Sequence, residues 1–124
     1  MACRLSLDFD GTIVYNAYPK IGKLKPNVVE VIQKLYQEGY KIIISTCRAG
    51  IYEGHCYQFC KKHNIPYHFI NSNLPEDIQY FGQDCRKISA GIYIDDKQLG
   101  GIPDDWNDIY NMIKEHELKF LNKK

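Results

Sequence analysis

Arg4-Leu5-Ser6-Leu7-Asp8-Phe9-Asp10-Gly11-Thr12 is the stretch on which the reading of this chain turns. Arg4 to Phe9 reads as a β-strand, and Asp10-Gly11-Thr12 is a turn signal that ends it. Two residues apart on an extended chain, Asp8 and Asp10 put their side chains on one face. A strand that delivers paired carboxylates to its own carboxyl end suits a parallel α/β sheet, where functional groups collect at strand ends.

Working outward, Val14 to Lys25 has scattered aromatics, Pro19 and Gly22, and reads as a loop with room for a short hairpin. Pro26 opens a helix at a position where its missing N–H costs nothing. Val28, Ile32 and Leu35 fall on one face of it, and Gly39 caps its end. Tyr40 to Ser45 is a β-branched run that predicts a strand covered on both faces. A second helix is expected from about Ala49 to His63, and a short strand over residues 67–70. Residues 71–87 are the hardest to read, with a turn of helix after Pro75. Gly91 to Asp95 predicts the last strand. A final helix from about Asp104 turns Trp106, Ile109, Tyr110 and Ile113 inward. Strand–helix alternation of this kind predicts an α/β fold: a three-layer, Rossmann-like parallel sheet of four strands with helices on both faces.

At 124 residues, with 44% apolar and 25% charged, the chain fits one domain over 1–124 with an ordinary core. A formal net charge of +1 gives no mandate for nucleic acid. No signal peptide and no membrane-spanning run is read, and five cysteines placed mostly inside strand and helix patterns fit a reduced, cytoplasmic protein better than a disulfide scaffold. His55, Cys56, Cys60 and His63 invite a zinc reading, but one helix face rarely builds a closed site, and packing is the better account.

Three expected strand ends bring four carboxylates and a hydroxyl to one crevice: Asp8 and Asp10, Thr46, and Asp95 and Asp96. Carboxylates so close repel and raise one another's pKa values. A hard divalent cation, Mg2+, resolves the conflict.

Asp8-Phe9-Asp10-Gly11-Thr12 resembles the DxDGT signature of the haloacid-dehalogenase superfamily. Ile42-Ile43-Ile44-Ser45-Thr46 resembles its second motif. Lys87 stands where the third-motif lysine is expected, and Ile92-Tyr93-Ile94-Asp95-Asp96 resembles the acidic fourth motif. The resemblance spans residues 5 to 96, with the motifs in order. It implies a magnesium-dependent phosphatase. Asp8 would attack phosphorus and become an aspartyl-phosphate. Asp10 would protonate the leaving oxygen and later deprotonate water. Thr46, at the start of the following helix, would hold a phosphoryl oxygen, with the helix N–H groups beside it. Lys87 would offset negative charge. Phe9, Gly11 and Cys47 complete the expected phosphate surroundings, with Gly11 allowing a close turn. The metal would be held by Asp8, the Asp10 carbonyl, and Asp95 and Asp96, with Asp96 the direct ligand and Asp95 the partner of Lys87.

Plainer readings stand beside these. Asp10-Gly11-Thr12 is also an ordinary turn signal, and Asp95-Asp96 an ordinary loop start. Arg48 either reaches a second substrate anion or is solvated. Lys20, Lys23 and Lys25 either meet a polyanion or cover a solvated loop. A phosphate-binding or regulatory module without turnover is the alternative function.

Family members often carry a cap domain. Residues 13–45 must already hold a loop, a helix and a strand, and residues 71–86 are too few for a folded cap. The chain therefore resembles the capless branch. That implies a large phosphorylated substrate, such as a polynucleotide end or phosphoprotein, or a small ester if a neighbouring subunit supplies the roof. Tyr80, Phe81 and Arg86 would then form a partial lid.

Overall fold

In the computed structural model, residues 3–122 are described. Six strands and four helices follow in the order β1 (Arg4–Leu7), β2 (Val14–Ala17), β3 (Lys20–Leu24), α1 (Val28–Gln37), β4 (Lys41–Ile44), α2 (Ile51–Lys62), β5 (Phe69–Ile70), α3 (Pro75–Phe81), β6 (Ile92–Ile94) and α4 (Trp106–Asn122). Four of the strands form a sheet in the order β5-β4-β1-β6, and every pairing in it is parallel. Leu5 pairs with Ile42 on one side and Ile92 on the other, so β1 is central. The α/β architecture expected from the sequence is the one observed.

Alternation along the strands divides the core. Leu5, Leu7, Ile42 and Ile44 join the large apolar cluster with Val28, Ile32 and Leu35 of α1, Cys56 and Cys60 of α2, and Trp106, Ile109 and Ile113 of α4. Ile43 points to the other face and meets Leu74 and Ile88 in a smaller cluster. Arg4 reaches Asp77 of α3 on that face, with Nε–Oδ2 and Nη2–Oδ1 both 3.0 Å. The second face is thus covered by α3 and by the irregular segment that resisted reading.

Two local expectations change. Pro26 lies outside α1, because Asn27 is the N-cap, in a left-handed conformation (φ 61°). The third strand shrinks to Phe69–Ile70. The short hairpin for which the sequence left room after β1 is present, as antiparallel β2 with β3, and its strands show mostly exposed or half-buried side chains. Gly22 is required there, since a Cβ would run into the Tyr15 carbonyl. Tethers to the start of α4 hold the hairpin: Tyr15 Oη donates to Asp104, and Lys25 pairs with the same carboxylate at 3.2 Å. Gly39, with φ 98°, follows the end of α1 as expected. Among the described residues, no helix is long and apolar enough to cross a membrane.

Candidate active site

The carboxyl ends of β1 and β6 lie side by side, and the Asp8 N–H donates to the Ile94 carbonyl at 2.9 Å. This pairing places Asp8 next to Asp95 and Asp96. Carboxylate oxygens of the three lie within 4.8 Å of one another, all half-buried. Burial, the neighbouring Asp96 carboxyl and the Asp95 charge push the Asp8 carboxyl up to about 7, against the pull of the Thr12 hydroxyl. The three residues could hold a hard cation, whose charge would relieve such a donor set, and oxygen ligands of this kind suit Mg2+.

Thr12 joins the two strand ends. Its fully buried hydroxyl accepts the Asp96 N–H at 2.9 Å and lies within donating distance of Asp8 Oδ2 (3.2 Å) and Asp96 Oδ1 (3.4 Å). The Thr12 carbonyl accepts from the Trp106 indole at 3.0 Å, which anchors the turn to the core. Gly11 has φ 89°, and a Cβ there would collide with the Asp96 carboxylate. Its N–H is spent on the Val14 carbonyl, so Gly11 serves close approach and not phosphate binding. The Phe9 ring is fully buried and edge-on to Phe59 at 5.8 Å, a core contact that leaves only its main chain near the site.

Asp10 turns away from the acidic trio. Arg48 donates to both of its oxygens, Nε to Oδ2 at 2.6 Å and Nη2 to Oδ1 at 2.8 Å. Neither sequence reading of Arg48 survives. Its side chain is 0% exposed, so it is not solvated. Its guanidinium is also committed to the Pro19 carbonyl (3.1 Å) and the Lys20 carbonyl (3.0 Å) of the hairpin, so it is not free for a second anion. The rings of Phe9 and Tyr18 lie 5.7 and 5.0 Å from the guanidinium carbon.

Thr46 sits beyond β4, where its hydroxyl accepts the Arg48 N–H at 3.1 Å and its own N–H donates to Asn71 Oδ1 at 2.8 Å. The expectation that it opens a helix is corrected: α2 begins only at Ile51, after a loop turned by Gly50. Asp8, Asp10, Thr46, Cys47, Arg48 and Asp95 line one cleft of about 470 Å³, with Asn16, Tyr18 and Lys97. A second hollow of about 200 Å³ on the other side of Asp8 and Asp95 brings in Arg86 and Lys87. Lys87 Nζ lies 5.1 Å from the Tyr93 ring centre, and no Lys87–Asp95 ion pair forms within 4.0 Å.

The structure therefore groups Asp8, Asp95 and Asp96, places Thr46 in one hollow and Lys87 in another that share Asp8 and Asp95 as lining residues, and pairs Asp10 with Arg48. The basic hairpin residues do not line the main cleft; Lys97 does. Cys56, Cys60 and His63 do not form a metal group among the described residues. Cys56 and Cys60 are fully buried, and the His63 ring packs on Phe59 at 4.2 Å. Sequence reasoning missed Thr12 as a bridge, Asn71 as the support of Thr46, and Asn16, Tyr18 and Lys97 as cleft walls. Asn71 carried one readable sign: asparagine tolerates the left-handed conformation (φ 56°) that it adopts after β5.

No protein-family model matches the chain, and no curated protein matches it. A solved structure of a conserved protein from Bacteroides thetaiotaomicron is similar to it, with 39% identity and a TM-score of 0.83, covering 94% of this chain and 93% of that one. Identity at that level over nearly the whole of both chains shows common descent, and the protein belongs to the same family as that conserved Bacteroides protein.

Proposed function

We propose that this protein is a magnesium-dependent phosphatase of the haloacid-dehalogenase superfamily, with Asp8 as the phosphoryl acceptor. The observation that carries the reading is the trio of Asp8, Asp95 and Asp96 at adjoining strand ends, with the Asp8 carboxyl pushed up to about 7. Such crowding is unfavourable for folding alone and is resolved by a bound cation. When bound, Mg2+ neutralises charge on the carboxylates and on a transferring phosphoryl group.

Asp8 sits at the junction of the two hollows, exposed enough to attack and held by Thr12. Its oxygen attacks phosphorus, the bond to the leaving group breaks, and water then hydrolyses the aspartyl-phosphate. Thr46 offers its hydroxyl to a phosphoryl oxygen from the cleft wall. Lys87 supplies positive charge from the smaller hollow. A phosphate-binding module without turnover is the second reading, favoured by the engagement of both Asp10 oxygens by Arg48.

Hydrolysis of 4-nitrophenyl phosphate separates them. The phosphatase reading expects turnover with Mg2+, its loss in chelator, and its loss in Asp8→Asn. Phosphate binding with no turnover by the wild-type protein leaves the module reading in place.

A further inference from the structure

We propose that the phosphate taken by this site is carried by a nucleotide, whose base stacks on an aromatic ledge of Tyr18, Tyr52 and His55 beside the main cleft. This rests on the phosphatase reading above and names the substrate class of that same site.

Tyr18 lines the cleft that holds Asp8 and Asp10, and it is 56% exposed. Its ring lies 5.7 Å from that of Tyr52, and Tyr52 stands edge-on to His55 at 5.8 Å. Tyr52 and His55 line a neighbouring hollow of about 450 Å³ with Pro19, Lys20 and Ile21. The three rings therefore run from the cleft wall into that hollow without a break. Packing does not account for them. Neither tyrosine belongs to the apolar core, and His55 is exposed. The buried Arg48 guanidinium, 5.0 Å from the Tyr18 ring centre, steadies the end of the ledge nearest Asp10. Flat rings held at a surface are what unstacked bases stack on.

Charge along the ledge fits the same ligand. Lys97 lines the cleft and Lys20 the hollow. Among the described residues, neither lysine has a carboxylate within 4.0 Å, whereas Lys25, just beyond β3, is spent on Asp104. No carboxylate lines the hollow itself. An unpaired ammonium beside a stack of rings suits the charged backbone of a nucleic-acid strand. Asn16 on the cleft wall adds an amide that both donates and accepts, as a sugar hydroxyl or a base edge requires. A phosphopeptide offers the rings no regular planar group.

The experiment compares thymidine 5′-phosphate, 2-deoxyribose 5-phosphate and 5′-phosphorylated octathymidylate with Mg2+, each measured as kcat/KM. The first two share a leaving oxygen and differ in the base. Thymidine 5′-phosphate is expected to lead 2-deoxyribose 5-phosphate by about tenfold, the scale of one stacking contact. Tyr52→Leu is expected to narrow that lead and Tyr52→Phe to keep it, a split that a merely structural role does not make. The wild-type series decides the matter if Tyr52→Leu does not fold. A further gain for the octamer that falls with salt and with Lys20→Ala assigns a strand end as the source of the nucleotide; no further gain assigns the free nucleotide. Binding is measured in parallel by calorimetry on Asp8→Asn, where the ligand stays whole. Equal kcat/KM with and without the base overturns this inference and leaves the phosphatase reading standing. So does a phosphoserine peptide turned over better than either nucleotide. Base-dependent binding that Tyr52→Leu weakens, with no turnover by the wild-type protein, keeps the nucleotide ligand and overturns the phosphatase reading. Neither turnover nor base-dependent binding overturns both.

Discussion

Asp8 lies where three carboxyl groups compete for ionisation. Its ordinary value of 3.8 is pushed up to about 7, first by burial and then by the Asp96 carboxyl and the Asp95 charge. A carboxyl whose folded value exceeds its unfolded value binds its proton more tightly in the folded state. The resulting stability is fully present below about pH 4 and is lost as pH rises to about 7. Thermal melts without metal are therefore expected to show wild type losing ground to Asp8→Asn between those limits. Added Mg2+ should raise the wild-type Tm at pH 7.5 far more than at pH 5, since it binds the ionised trio. A wild-type minus Asp8→Asn difference that stays level with pH contradicts this electrostatic picture. Arg48 gives a second residue-scale outcome. Removing one member of a buried, hydrogen-bonded pair costs about 3–5 kcal/mol, so Arg48→Ala should lower the denaturation free energy by that order. A loss under about 1 kcal/mol would place the pair among exposed ones. The acidic residues were legible because they stand at the ends of apolar runs. The Arg48–Asp10 pair was not, because 38 residues separate its members and only the fold brings them together.

At the scale of elements, β1 and β6 hold the site, and the turn after β1 locks them together. Thr12→Val keeps the shape of the side chain but deletes the hydroxyl that takes the Asp96 N–H and reaches Asp8. It leaves the half-buried Asp96 N–H without that acceptor, at a cost at the low end of about 1–3 kcal/mol. Metal affinity is expected to fall with it, by about tenfold or more on the scale of lost outer support. Calorimetric titration with Mg2+ checks this, and an unchanged affinity would show that Thr12 serves the fold alone. The β1, β4 and β6 strands and the long helices were readable from apolar pattern. The β2–β3 hairpin was legible only as a loop with room for a short hairpin, since its strands bury little and so carry weak pattern. Its position is nevertheless decisive, because Pro19 and Lys20 carbonyls hold Arg48 and Tyr18 forms a cleft wall. The late start of α2 had the same cause: the residues from Ser45 to Gly50 form a loop held by Asn71 and Arg48 contacts that no local periodicity reveals.

Across the whole molecule, the sheet presents its carboxyl edge with one main cleft of about 470 Å³, walled by Asn16, Tyr18 and Lys97. The hairpin shields Arg48, and the Asp8 side remains reachable from both hollows. A small ester is poorly enclosed in such a cleft, so a larger phosphorylated ligand that covers the site is expected to gain in kcat/KM through remote contacts. Paired substrates with the same leaving group, one small and one carrying a long peptide or oligonucleotide, check this alongside the mass of the protein in solution. A monomer that handles the small member far better contradicts the open-site account. The central claim is that Asp8 accepts the phosphoryl group. Its most direct test is an acid-quenched single turnover with acetyl phosphate and Mg2+, followed by mass spectrometry of the peptide containing Asp8. The account expects a transient gain of one phosphoryl group on Asp8, absent in chelator. Turnover of acetyl phosphate with Asp8 never modified, or at an undiminished rate in Asp8→Asn, would contradict it.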